Sequence, residues 1–140
     1  MALKHRSVLP LIAVVFLAFV GGCSQPGPLP KGIVKFEDGE RVQSGSIELR
    51  SIQTRAQYAG RINKTGHFTL RNEDGDPELP VDDYEVVVVQ IVLTEDLPAD
   101  QHNHGRTVPR KYADYNTSGL KYTNPADRTE PIVIELSVDP

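Results

Sequence analysis

Apolar and polar residues alternate with a period of two along much of this chain, and each alternating stretch stops at a turn. Residues 32–37 put Val34 and Phe36 on one face and Lys35 and Glu37 on the other. That is the pattern of a half-buried strand, whose successive side chains point to opposite faces. Asp38-Gly39 follows, a pair that accepts positive φ and signals a tight hairpin. Residues 46–50 repeat the pattern, with Ile47 and Leu49 opposite Glu48 and Arg50. Residues 58–63 lead into a turn at Lys64-Thr65-Gly66, after which Phe68 and Leu70 alternate with Thr69 and Arg71. The longest expected strand spans residues 84–94. Tyr84, Val86, Val88 and Val92 share one face, and Val87, Val89, Ile91 and Leu93 the other. Apolar residues on both faces predict a central, covered strand, and the β-branched run opposes a helix. Ile132, Ile134 and Leu136 define a last strand over residues 132–138, with Glu135 and Ser137 pointing away. Residues 72–80 and 95–109 read as loops, and no ten-residue stretch of the chain beyond its leader has helical periodicity. Six or seven short strands with regular turn signals predict an all-β, antiparallel sandwich.

The first 23 residues break this pattern. Lys4 and Arg6 precede an uncharged, apolar run over residues 8–20, and Val20-Gly21-Gly22 leads directly into Cys23. A basic start, an apolar centre and small residues at the end make a secretory signal. Ending on a cysteine, the stretch resembles a bacterial lipobox. The resemblance implies cleavage between Gly22 and Cys23, a diacylglycerol on the Cys23 thiol, and acylation of the new amino group. An ordinary cleaved signal and a retained anchor are the competing readings. A transmembrane helix needs about 20 apolar residues, and Pro10 and Gly21-Gly22 interrupt this one. Two or more acyl chains give stable membrane attachment. Ser24 stands where an aspartate often holds lipoproteins at the inner membrane, so the resemblance implies an outer-membrane destination. Residues 24–30 carry three prolines, which favour an extended, semi-rigid tether. The organisation expected is a signal peptide over 1–22, a lipidated cysteine and tether over 23–31, and one domain over 32–140.

Composition narrows the partners. Cleavage before Cys23 leaves 118 residues, one domain's worth, and the only cysteine of the chain is assigned to lipid. Lys4 and Arg6 leave with the leader, so 13 basic residues face 19 acidic ones, a formal charge of −6. An acidic domain is repelled by nucleic acid and by anionic lipid surfaces. Neither is an expected partner.

Several segments together resemble one family. Gly32-Ile-Val-Lys-Phe-Glu-Asp-Gly39 followed by Gly45-Ser-Ile-Glu-Leu49 looks like the opening hairpin of a carboxypeptidase-regulatory-like domain. Gly60-Arg-Ile-Asn-Lys-Thr-Gly-His-Phe-Thr-Leu70 resembles that family's next hairpin, with Asn63 where an aspartate is more usual. Leu79-Pro80 and Asp83-Tyr84-Glu-Val86 resemble the entry to its following strand, with an acidic residue instead of a glycine. Val108-Pro-Arg-Lys-Tyr112 and Thr117-Ser-Gly-Leu120 resemble a segment of small planctomycete lipoproteins. The resemblance implies a transthyretin-like (prealbumin-like) sandwich serving as a non-catalytic surface module. Fold alone does not fix function.

Candidate chemistry is sparse. His102-Asn103-His104 would place two imidazoles on one strand face, but zinc needs further ligands, and an exposed polar loop is the alternative. Asn72-Glu-Asp-Gly-Asp76 clusters oxygens as calcium sites do, yet lacks the full loop ending in glutamate, so a solvated turn is expected. Ser118 lies outside any nucleophile-elbow motif, and Asp82 and Asp83, being adjacent, face opposite sides of a strand. No cofactor, metal or catalytic residue is assigned, and an enzyme is not expected. Arg110, Lys111, Tyr112 and Tyr115 form the candidate binding surface, since tyrosines beside cations stack on sugars or hold peptides. The alternative is that Tyr112 and Leu120 anchor their segment onto the sandwich edge. The expectation is a lipid-anchored, non-catalytic module at the cell envelope, membrane-bound through Cys23, with an envelope protein or polysaccharide as partner. The second reading is a small-ligand or carbohydrate-binding lipoprotein using residues 95–120.

Overall fold

The structure, a computed structural model, describes residues 28–90 and 105–138. Seven strands carry the fold: β1 (Lys31–Phe36), β2 (Gly45–Ser51), β3 (Gln57–Ile62), β4 (His67–Thr69), β5 (Asp82–Val89), β6 (Leu120–Asn124) and β7 (Ile132–Leu136). They form a three-stranded sheet ordered β4-β1-β7 and a four-stranded sheet ordered β3-β2-β5-β6. One hydrophobic cluster draws on both, so the architecture is a β-sandwich. The alternation in the sequence places its residues as expected: Val34 and Phe36, Ile47 and Leu49, and Ile132, Ile134 and Leu136 are all buried. Each such side chain stabilises the fold by about 1.5–3 kcal/mol when fully removed from water. All of these core residues lie within 28–138, so residues 24–140 contain every described strand and every described core residue.

β5 is interior to its sheet, as its two apolar faces predict. Tyr84, Val86 and Val88 enter the core, and Val87 is buried on the opposite face. It begins at Asp82, two residues earlier than expected, and residues 91–94 lie outside the described segments. Its entry is tied down by a tyrosine corner. The Tyr84 hydroxyl donates to the Pro80 carbonyl at 2.7 Å, and buried Asn124 donates through Nδ2 to Leu79 and Pro80 carbonyls at 2.8 and 3.0 Å.

Three features depart from the expectation. The sandwich is not wholly antiparallel, because β1 pairs with β7 in parallel over five residue pairs. Parallel neighbours require a long crossover connection, and here nearly the whole chain supplies it. The residues likened to an opening hairpin do not make one either. After Asp38-Gly39 the chain turns back for only the Lys35–Arg41 bridge, then crosses to the other sheet as β2. Gly45 makes that crossing possible: φ is +127°, and a Cβ there would lie 2.3 Å from the Val89 carbonyl oxygen. Finally, β6 is a strand that the sequence reading left within a long segment.

At the β3–β4 corner the two sheets are stitched together. The Asn63 N–H donates to the His67 carbonyl at 3.0 Å, and Ala59 and Arg71 exchange backbone hydrogen bonds. Asn63 Oδ1 accepts from Thr65 N, Thr65 Oγ1 and His67 N at 2.8–3.0 Å. The turn therefore uses only the oxygen of this side chain, the part that an aspartate shares.

The N-terminal boundary is also defined. Pro30 is buried and its carbonyl accepts from Leu70 N at 2.9 Å. Arg128 donates to the Pro28 and Leu29 carbonyls at 2.6 and 3.3 Å. Among the described residues the chain is therefore already attached to the sandwich at Pro28–Pro30, residues assigned to the tether.

Candidate functional site

The four residues expected to form a binding surface do not present one together. Arg110 to Ala113 form a 3₁₀ turn, and Tyr115–Ser118 a single helical turn, α1. Asp114 caps α1 by accepting from Asn116 N at 2.7 Å, and Gly119 ends it at φ +66°. Tyr112 is only 4% exposed and belongs to the core cluster. Its hydroxyl accepts from the Ser137 N–H at 2.9 Å, just beyond β7. It is therefore a clip between this segment and the three-stranded sheet rather than a stacking platform. Leu120 packs against the same cluster. Arg110 is exposed, and the Lys111 ammonium lies 5.2 Å from the Tyr112 ring centroid.

Tyr115 is engaged elsewhere. The Arg50 guanidinium stacks 3.6 Å from its ring centroid, and its hydroxyl donates to Glu48 at 2.6 Å. Burial, and then the Glu48 carboxylate, push the Tyr115 phenol well above its ordinary range. Arg50 also bonds Glu85 at 2.7 Å, and the hydrogen bond from this guanidinium holds the Glu85 carboxyl below its usual value. The cation beside Tyr115 is thus Arg50 on β2, not Arg110 or Lys111. The arrangement fastens α1 across the outer face of β2 and β5.

The other candidates are structural or undescribed. Buried Ser118 donates through Oγ to the Val86 carbonyl at 2.5 Å, so its hydroxyl is committed to β5. Asn72 closes its own turn by accepting from Asp76 N at 2.8 Å, and Arg71 donates to the Gly75 carbonyl at 2.6 Å. Asp82 accepts from Ser51 and Asp83 from Thr123, on separate partners. Gly22, Cys23, His102 and His104 lie outside the described residues. Among the described residues no group of three His, Cys, Asp or Glu is placed to hold a metal ion.

A concave surface that the sequence reading did not single out lies where β3 passes over to β4. It is a groove of about 1120 Å³ lined by residues of both sheets. Ile33 and Val133 form its floor; they are register partners in β1 and β7, and Ile33 also pairs with His67 of β4. Val133 is 51% exposed. Lys31, Arg61 and Arg71 stand around this floor, with Glu130 the one carboxylate in the lining. The signal was present in the sequence: Ile33 and Val133 are apolar residues at positions that the alternation turns toward solvent.

No family model, curated protein or solved structure matches the chain.

Proposed function

We propose that this chain is an exported, lipid-anchored β-sandwich module with a structural or interaction role at the cell envelope. The apolar leader ending on Cys23 carries this reading, and the attachment of Pro28 and Leu29 to Arg128 supports it. Four residues lie between Cys23 and Pro28, so five Cα-to-Cα steps join them. At no more than about 3.6 Å each they span under roughly 18 Å. A lipid on Cys23 therefore holds the sandwich against the bilayer surface, in an orientation limited by the Arg128 clamp. The resemblance to carboxypeptidase-regulatory-like domains points the same way, toward a module that presents surfaces rather than performs chemistry. The polar side chains once considered for a site support that role, since Tyr112, Tyr115 and Ser118 are each spent on holding the fold together.

The groove beside Ile33 and Val133 favours an interaction role over a purely structural one. It is also the feature that supports the second reading, a ligand-binding lipoprotein, although it lies outside the 95–120 segment first considered for that role. Metabolic labelling of cells expressing the full chain with a radioactive fatty acid tests the anchor. The wild-type band should carry label and fractionate with membranes. Cys23→Ser should carry none, and label retained by that variant would refute the assignment.

A further inference from the structure

The groove has a chemical character that selects its occupant. Lys31 of β1, in register with Thr69 of β4, and Arg61 of β3 both line the groove. Two cations thus stand at the border of the groove. Neither Lys31 nor Arg61 forms an ion pair among the described residues, although the chain as a whole is acidic. Ile33 and Val133, register partners, supply an apolar part of the lining. Local positive charge bordering an exposed apolar strip is complementary to a ligand bearing carboxylates and aliphatic groups together.

We infer that this groove binds an extended, acidic peptide segment of a partner protein, with carboxylates on Lys31 and Arg61 and aliphatic side chains on Ile33 and Val133. At about 1120 Å³ the groove exceeds the roughly 300–1,000 Å³ of ordinary small-molecule pockets, which suits an extended polypeptide segment. It contains no tyrosine or tryptophan to stack on a sugar ring. An anionic membrane is the other polyanion within reach, and the loop following Arg71 opposes it. Glu73, Asp74, Asp76 and Glu78 are exposed there, a few residues beyond the groove. This inference deepens the interaction role proposed above and depends on that reading only for its cellular setting. Binding is read in solution, so a missing lipid and a non-binding groove give separate results.

The test uses residues 24–140, which carry every described strand and core residue. Fluorescence anisotropy follows a labelled octapeptide of alternating glutamate and valine, with Lys–Val and Glu–Ser octapeptides as controls. The Glu–Val probe should saturate, and raising salt from about 50 to 300 mM should weaken it, because surface charge pairs are screened. The exposed double substitution Lys31→Glu/Arg61→Glu should weaken binding at least tenfold with the thermal midpoint unchanged. Val133→Asp should also weaken it. The inference is overturned if the Glu–Val probe does not saturate. Equal binding of either control peptide, or unchanged affinity in the double variant, overturns it as well. Vesicles rich in phosphatidylglycerol that bind the domain while the peptide does not would assign the surface to lipid instead.

Discussion

Tyr112 distinguishes a segment that fastens the sandwich from one that binds a ligand, and its substitution has a calculable cost. The side chain is 4% exposed within the core cluster, so Tyr112→Ala removes an almost fully buried ring. Large aromatic-to-alanine changes in cores cost about 3–5 kcal/mol, from lost transfer energy and the cavity left behind. Tyr112→Phe isolates the hydroxyl, which accepts from Ser137 N at 2.9 Å. One hydrogen bond of this kind contributes about 0.5–1.5 kcal/mol. Whole domains are stable by only about 5–15 kcal/mol, so the alanine variant loses a large share of the total. For about 110 residues each kcal/mol shifts the midpoint by roughly 4 °C. Tyr112→Ala should therefore melt roughly 10–20 °C lower, and Tyr112→Phe only a few degrees lower. The chain has no tryptophan, so far-UV circular dichroism during heating and urea titration is the suitable assay. A Tyr112→Ala protein that melts within about 2 °C of wild type would refute the clip and return Tyr112 to the binding surface.

Other outcomes follow from the same contacts. Asn63→Asp should be nearly neutral and Asn63→Ala should cost about 1 kcal/mol in urea unfolding, because Oδ1 alone accepts the three bonds of the turn. Equal loss in both variants would show that the amide nitrogen matters. Asn124→Ala should cost about 1–3 kcal/mol by leaving the Leu79 and Pro80 carbonyls short of a donor near the tyrosine corner. The Arg50 guanidinium lowers the Glu85 carboxyl from 4.5, and the Glu40 N–H followed by Arg106 lowers Asp38 from 3.8. A depressed carboxylate contributes stability above its unfolded pKa and loses it as pH falls through the folded value. Stability should therefore stay level from pH 7 to about 5 and fall below about 4.5. Arg50→Ala should flatten the part of that fall due to Glu85, and parallel wild-type and variant pH curves would contradict the pairing.

Within single strands the sequence was highly legible. Val34 with Phe36, Ile47 with Leu49, and Ile132, Ile134 and Leu136 declare their buried face because a strand's side-chain period is two. Partnership between strands was not legible in this way. β1 and β7 lie almost a chain length apart, and neither alternation nor turn chemistry says that they pair in parallel. β6 escaped notice because it is a short edge strand whose Leu120 and Tyr122 are only partly buried. The candidate site shows the same division. Tyr112 and Tyr115 stand out in the sequence, but the partners that explain them, Ser137 and Arg50, come from distant parts of the chain. The groove draws on five strands at once, so Ile33 and Val133 read individually as ordinary surface residues. The turn at residues 63–66 went the other way: three local hydrogen bonds to Asn63 are the kind of contact that a motif captures.

The central claim is that a lipid on Cys23 holds this sandwich at a membrane. Intact-mass spectrometry of the full chain, expressed in a bacterium with the lipoprotein pathway and extracted from its membranes, tests it most directly. The account predicts a species beginning at Cys23 that carries a diacylglycerol and an amide-linked acyl chain. A chain that retains its first 22 residues, or one cut near them with an unmodified thiol, would contradict it.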